Sequence, residues 1–262
     1  MNKTLYRILM VICSLGILVS GWSLFSYYHE GHKTRDRYED LAAAVQQARP
    51  SEAAAETGTA PDATAETKPE DGILPEYREL LAYNRDLVGW LVIEGTEINY
   101  PVVQTPEEPE YYIDRDFDGE ENPHGCLFAE GGCNVETSDN VTIYGHHMKD
   151  GTMFADLMNY TKASFWKDHP SIRFDTLTEH RRYEIFAVFR TTATVGQGFH
   201  YHRFVDAADA AEFDQYVEHC RNLSLYDTGV LPEFGDKLIC LSTCEYSQHN
   251  GRFVVVGVYR PQ

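Results

Sequence analysis

The run Leu238-Ile239-Cys240-Leu241-Ser242-Thr243-Cys244 closes on a cysteine, and after the polar stretch 245–251 a second apolar run opens with Arg252. Both runs are rich in aliphatic residues, and the stretch between them ends in the turn-favouring pair Asn250-Gly251, so they read as neighbouring strands. Side chains alternate along a strand, which puts Cys240, Ser242 and Cys244 on one face of the first run and Arg252, Val254 and Val256 on one face of the second. A thiol and a guanidinium can then meet across the pair. The chemistry open to them is nucleophilic: a thiolate attacks a carbonyl carbon, and a fixed cation beside it stabilises the thiolate or the oxyanion that the attack creates. Far upstream, the strand-like run 140–144 ends in Gly145-His146-His147. Taken singly, Cys244 is most simply a small buried side chain and Arg252 an exposed strand arginine, and it is their spacing that argues otherwise.

Together these three pieces resemble the sortases, the cysteine transpeptidases that attach surface proteins to the cell wall of Gram-positive bacteria. The family signature is Thr-Leu-x-Thr-Cys with a Gly-His upstream and an Arg downstream; Leu241-Ser242-Thr243-Cys244 matches it, and Cys240 stands where many members have Thr. Leu87-Val88-Gly89-Trp90-Leu91, Ile98-Asn99-Tyr100-Pro101-Val102-Val103-Gln104, Tyr111-Tyr112 and the stretch from Tyr144 through His146-His147-Met148-Lys149-Asp150-Gly151 to Phe154 are similar to class B sortases in particular. The resemblance covers roughly residues 73–262. It implies that Cys244 is the nucleophile, that His146 protonates the leaving amine and deprotonates the incoming one, and that Arg252 binds substrate or the oxyanion. Ser242 and Thr243 would line the substrate pocket, with Glu245 contributing beside them. Segments 191–204 and 207–221 would complete the pocket, since loops on a rigid barrel supply specificity.

The function implied is cleavage of a C-terminal sorting motif after Thr, on surface proteins that carry such a signal, through a thioester at Cys244. An amine of a peptidoglycan precursor resolves the thioester; a pilin-polymerising sortase would use an amine of another protein. Class B likeness implies motifs of the Asn-Pro-x-Thr or Pro-Pro-x-Thr-Gly kind over Leu-Pro-x-Thr-Gly. A papain-like peptidase also pairs Cys with His, but there the Cys comes first, whereas here His146 precedes Cys244. A membrane-tethered binding module without catalysis is the remaining rival, and thiol labelling separates it from an enzyme.

The elements that must position these groups are mostly strands. Short, turn-bounded runs at 89–93, 98–103, 125–129, 140–144, 171–176, 182–190, 237–242 and 252–260 predict eight strands, a number that suggests a closed, mainly β barrel. By the resemblance it is of the sortase type, with peripheral helices. Helical periodicity appears at 75–84, at 153–160 and over 207–221, where Ala210, Phe213, Val217 and Cys220 recur every three or four residues.

Ahead of this domain, Lys3 and Arg7 precede an uncharged run at 8–28, long enough at 1.5 Å per residue to cross the ~30 Å hydrocarbon core of a bilayer. The expectation is a cytoplasmic N-terminus at 1–7, a single-pass anchor at 8–28, a juxtamembrane helix within 36–49, and a flexible linker over 50–72 built from Ala, Glu, Thr, Pro and Asp. The extracellular catalytic domain would occupy 73–262.

A net charge of −19 excludes nucleic acid as a natural partner, because such binding rests on neutralising phosphates with Lys and Arg. Six cysteines include Cys13 in the anchor, and the five others are an odd number, so at least one is free. Cys126 and Cys133 either pair or stay as buried thiols. No His-Glu-x-x-His and no paired Cys-x-x-Cys occurs, so neither a metal nor a cofactor is expected. The other histidines, among them His124, His200 and His202, carry no role at this level.

Overall fold

The computed structural model describes residues 3–49, 72–194 and 196–261, and nearly all of the expected linker lies outside them. Helix α1 spans Lys3–Ala48 without a break. The sequence pointed to an anchor and a separate juxtamembrane helix. Only Gly31 interrupts the helix-forming residues between them, and one interior glycine costs about 1 kcal/mol relative to alanine, too little to end a helix packed elsewhere. The first part of α1 is long and apolar enough to cross a membrane, and its Ile12, Leu15, Ile17, Leu18 and Val19 side chains are exposed. The last part packs on the barrel through Tyr38, Leu41 and Val45, one stripe at helical spacing, all buried.

Beyond it come a short helix α2 (Arg78–Tyr83), strands β1 (Leu87–Val92), β2 (Asn99–Val103), β3 (Leu127–Ala129) and β4 (Asn140–Tyr144), and helix α3 (Ala163–Asp168). Then follow β5 (Ser171–Thr176), β6 (Arg182–Thr192), helix α4 (Ala210–Leu223), β7 (Leu238–Glu245) and β8 (Gly251–Tyr259). The eight strands close into a barrel in the order β1-β2-β3-β4-β7-β8-β6-β5. All neighbours are antiparallel except β2 with β3 and β4 with β7. The helix expected at 153–160 is instead a 3-10 segment, Ala155–Thr161, that follows a left-handed Met153 at φ 57°.

Strand alternation divides β7 and β8 between two cores. Ile239, Leu241, Phe253 and Val255 point into the barrel, where they meet Leu91, Phe174 and Ile185. Leu238, Cys240, Val254, Val256 and Val258 point outward and are covered by α4 through Phe213, Tyr216, Val217 and Cys220. Each large apolar side chain so buried contributes roughly 1.5–3 kcal/mol. The Asp209 carboxylate caps α4 by accepting from the Glu212 N–H at 3.0 Å, and Glu212 accepts in turn from the Ala208 N–H at 2.8 Å. The outward stripe therefore starts sealed under α4 at Cys240 and leaves its cover towards Cys244.

Candidate active site

Strand register brings the three reactive groups to one end of the barrel. β4 and β7 run parallel with Tyr144 level with Ser242, so His146 and Cys244, each two residues further on, emerge side by side. β7 and β8 run antiparallel with Cys244 opposite Arg252. The link between β4 and β7 continues past the strand: the Gly145 N–H donates to the Ser242 carbonyl at 3.2 Å, and the Thr243 hydroxyl donates to the Gly145 carbonyl at 2.8 Å. Position 145 admits no side chain, because a Cβ there would collide with Leu127 and Phe154.

These residues open onto a groove of about 320 Å³ that His146, Cys244 and Arg252 line together with Ser242 and Thr243. Cys244 is half-buried, whereas Cys126, Cys133, Cys220 and Cys240 are buried free thiols, so Cys126 and Cys133 do not pair. Burial pushes Cys126 and Cys240 up to about 12 and Cys133 to about 11, which keeps them protonated and unreactive. Nε2 of His146 lies 2.6 Å from the carbonyl oxygen of Ile113, in the 3-10 turn Tyr111–Ile113. A carbonyl can only accept, so Nε2 carries the proton and Nδ1 is the nitrogen left for exchange. His147 turns elsewhere, with Nδ1 3.3 Å from the backbone carbonyl of Cys244 and its ring against Tyr246. Arg252 is braced by the carbonyls of Gly251 at 3.0 Å and Asn250 at 3.4 Å, both accepting from Nη1.

Glu245 stands apart from the groove. Its carboxylate accepts from the Ser247 N–H at 3.1 Å and the Ser247 hydroxyl at 2.7 Å, and Arg190 lies 3.9 Å away. Of the two segments expected to complete the pocket, the first does so through Thr192, Ala193, Phe199, His200, Tyr201 and His202. The second, in α4, packs behind them instead, its His219 stacked on Phe199.

Sequence reasoning missed the polar floor and walls of the groove. Tyr144 donates its hydroxyl to Glu130 at 2.7 Å, and burial together with this carboxylate keeps the phenol protonated. The Tyr201 hydroxyl pairs with that of Ser242, its own pKa raised by burial. Burial holds the His202 imidazole below its usual value, opposed by Glu130 and reinforced by His200, Arg203 and Arg252. Alternation along β4 and its extension of β3 was the one signal that could have placed Tyr144 and Glu130 on the outer face. The residues of the 199–202 loop gave none.

The Sortase domain family model matches residues 91–259. Among curated proteins, Sortase B of Listeria monocytogenes is 31% identical over 252 residues, 95% of this chain and 94% of that protein. Sortase B of Staphylococcus aureus is 28% identical over 257 residues, 97% of this chain and 95% of that one. Among solved structures, a Staphylococcus aureus sortase B–substrate complex aligns with a TM-score of 0.73 at 28% identity, covering 88% of this chain and 98% of its own. Sortase B from B. anthracis aligns at 0.71 and 26% identity, covering 90% and 100%.

Proposed function

The chain belongs to the sortase family and is a cysteine transpeptidase of the class B type; from that premise we propose that it cleaves a C-terminal sorting motif of the Asn-Pro-x-Thr or Pro-Pro-x-Thr-Gly kind after Thr and passes the protein to an amine of a peptidoglycan precursor. The observation that carries the residue roles is the convergence of Cys244, His146 and Arg252 on one groove through the β4, β7 and β8 registers. The Cys244 thiolate attacks the Thr carbonyl carbon, and the electron pair displaced onto oxygen is met by the Arg252 guanidinium. Collapse of this adduct breaks the C–N bond, and His146 delivers its Nδ1 proton to the departing amine. The thioester remains on Cys244. The acceptor amine attacks it, His146 takes the proton back, and the thiolate leaves as the new amide forms.

The barrel is proposed to work outside the cell, held by the apolar part of α1, with residues 1–7 in the cytoplasm. That a Staphylococcus aureus sortase B of the same fold forms a complex with its substrate supports a substrate-binding role for this barrel. Cleavage of quenched fluorescent sorting peptides by the protein and by Cys244→Ala is the decisive test. The variant should keep its fold by circular dichroism and lose all but about a hundredth of the activity, because losing a covalent nucleophile costs orders of magnitude. Appreciable residual turnover would remove Cys244 from its role, and faster cleavage of Leu-Pro-x-Thr-Gly than of the two class B motifs would overturn the specificity.

A further inference from the structure

The membrane-proximal part of α1 reaches the catalytic histidine by two separate routes. The first runs through the loop that follows His146, which the His147–Met153 bridge and the bond from the Phe154 N–H to the His146 carbonyl, 2.8 Å, close on itself. Near its tip, Asp150 accepts from the Thr152 N–H at 3.1 Å and the Thr152 hydroxyl at 2.7 Å, while its other oxygen lies 2.7 Å from Nε2 of the fully buried His124. Gly31 of α1 sits directly on that Asp150–His124 contact, so close that a Cβ would run into Asp150 Oδ2. One turn further along, the buried Thr34 hydroxyl accepts from the Asn122 side-chain amide at 2.9 Å, and Asn122 in turn holds His124 through its side-chain oxygen.

The second route approaches the other side of the same imidazole. Tyr38 donates its hydroxyl to the Gly125 carbonyl at 2.9 Å. The next residue, Cys126, donates its N–H to the Tyr112 carbonyl at 3.1 Å, and the Ile113 carbonyl beside it accepts from His146 Nε2. One stretch of helix thus braces both the loop that carries His146 and the carbonyl that orients its ring.

We propose that residues 31–38 of α1 are a positioning element for His146, so that turnover depends on how the anchor helix is seated on the barrel. The proposal rests on the transpeptidase reading above. Helix and site are coupled because shifting α1 must move Asp150 or Gly125, and either movement changes where Nδ1 points. A misplacement of about 1 Å at a reacting group is enough to cost turnover heavily. Substrate binding in the groove should change less than turnover, since no described residue of α1 lines it and only Ile113 and His146 of the two routes do.

The test uses the full-length chain in detergent micelles. In Gly31→Leu, kcat should fall about tenfold or more while KM stays within about twofold, because the group displaced acts on the bond-breaking step. Adding Asp150→Ala to that variant should cause little further loss, since both changes act through one contact. Tyr38→Phe, which removes a single hydroxyl and keeps the packing, should lower kcat with KM unchanged and keeps the test open should the larger variant fold poorly. Amide exchange should quicken in 146–154 and stay slow in β6. Unchanged kcat and exchange in both single variants would overturn the proposal, as would exchange that quickens across the whole barrel. If the parent cleaves no sorting peptide, the transpeptidase reading fails, whereas the exchange measurement still decides the coupling.

Discussion

Committing Nε2 of His146 to a backbone carbonyl leaves Nδ1 as the nitrogen for the proposed proton exchange, and it separates this residue from its neighbour. His146→Ala should lose kcat/KM by about 10²–10⁴-fold, the usual worth of a positioned acid and base, while His147→Ala should keep most of it. The reverse outcome, read with the same peptide assay, would exchange their roles. Arg252→Lys should also be poor: Nη1 is spent on two carbonyls, and a lysine ammonium cannot hold them and still present a planar face of donors to an oxyanion. The pairing of Cys244 with Arg252 was legible in the sequence because strands repeat every two residues and the connecting loop is short. Tyr201 and His202 were not, since what brings them to the groove is the path of a loop that no periodicity encodes, and Glu130 had only the alternation continuing from β3 to place it. Glu245 illustrates the same limit from the other side: its place beside Cys244 in the chain was plain, but the turn that draws its carboxylate onto Ser247 was not.

At the scale of elements, eight strands were readable from composition and turns, but their order around the barrel was not, since β4 pairs with β7 about a hundred residues on. The outer core was half legible. Phe213, Val217 and Cys220 showed their spacing, and Tyr216 joins them because its ring reaches Phe204, in a stack with centroids 4.1 Å apart. Phe213→Ala should cost about 3–5 kcal/mol in denaturant unfolding, as truncating a buried phenylalanine does. The docking of α1 was not legible, because the spacing of Tyr38, Leu41 and Val45 marks an apolar stripe but not what covers it, and the polar ties beside it are long-range. Arg37 pairs with Asp118 at 2.5 Å, and Arg49 with Asp175 at 2.8 Å and Glu76 at 3.2 Å. The hydrogen bond from Arg37 holds Asp118 below 3.8; against burial, His124 and Thr152 do the same for Asp150, and His180 and Tyr77 for Asp175. A lowered carboxylate contributes fully above its unfolded value and loses that contribution as pH falls through its folded one. Unfolding temperature should therefore be level from neutrality to about pH 5 and drop below about pH 4. A midpoint that instead falls from pH 7 to 5 would point to histidines.

For the whole molecule, a protease acting on cells with opened walls should cut within residues 50–71, where large apolar side chains are almost absent. Cutting there severs the chain but leaves Tyr38, Leu41 and Val45 in their seats, so the barrel should stay on the membrane and come away only when denaturant unseats that stripe. Release by protease alone would mean that the helix is not docked in the cell. The sealed sulfurs have a use of their own. Because Cys126, Cys133, Cys220 and Cys240 are buried while Cys244 is half-buried and Cys13 of α1 is exposed, a folded chain should consume two equivalents of a thiol-specific dye and an unfolded one six. Read before and after full denaturation of one sample, the colour thus gives the folded fraction without any substrate being known.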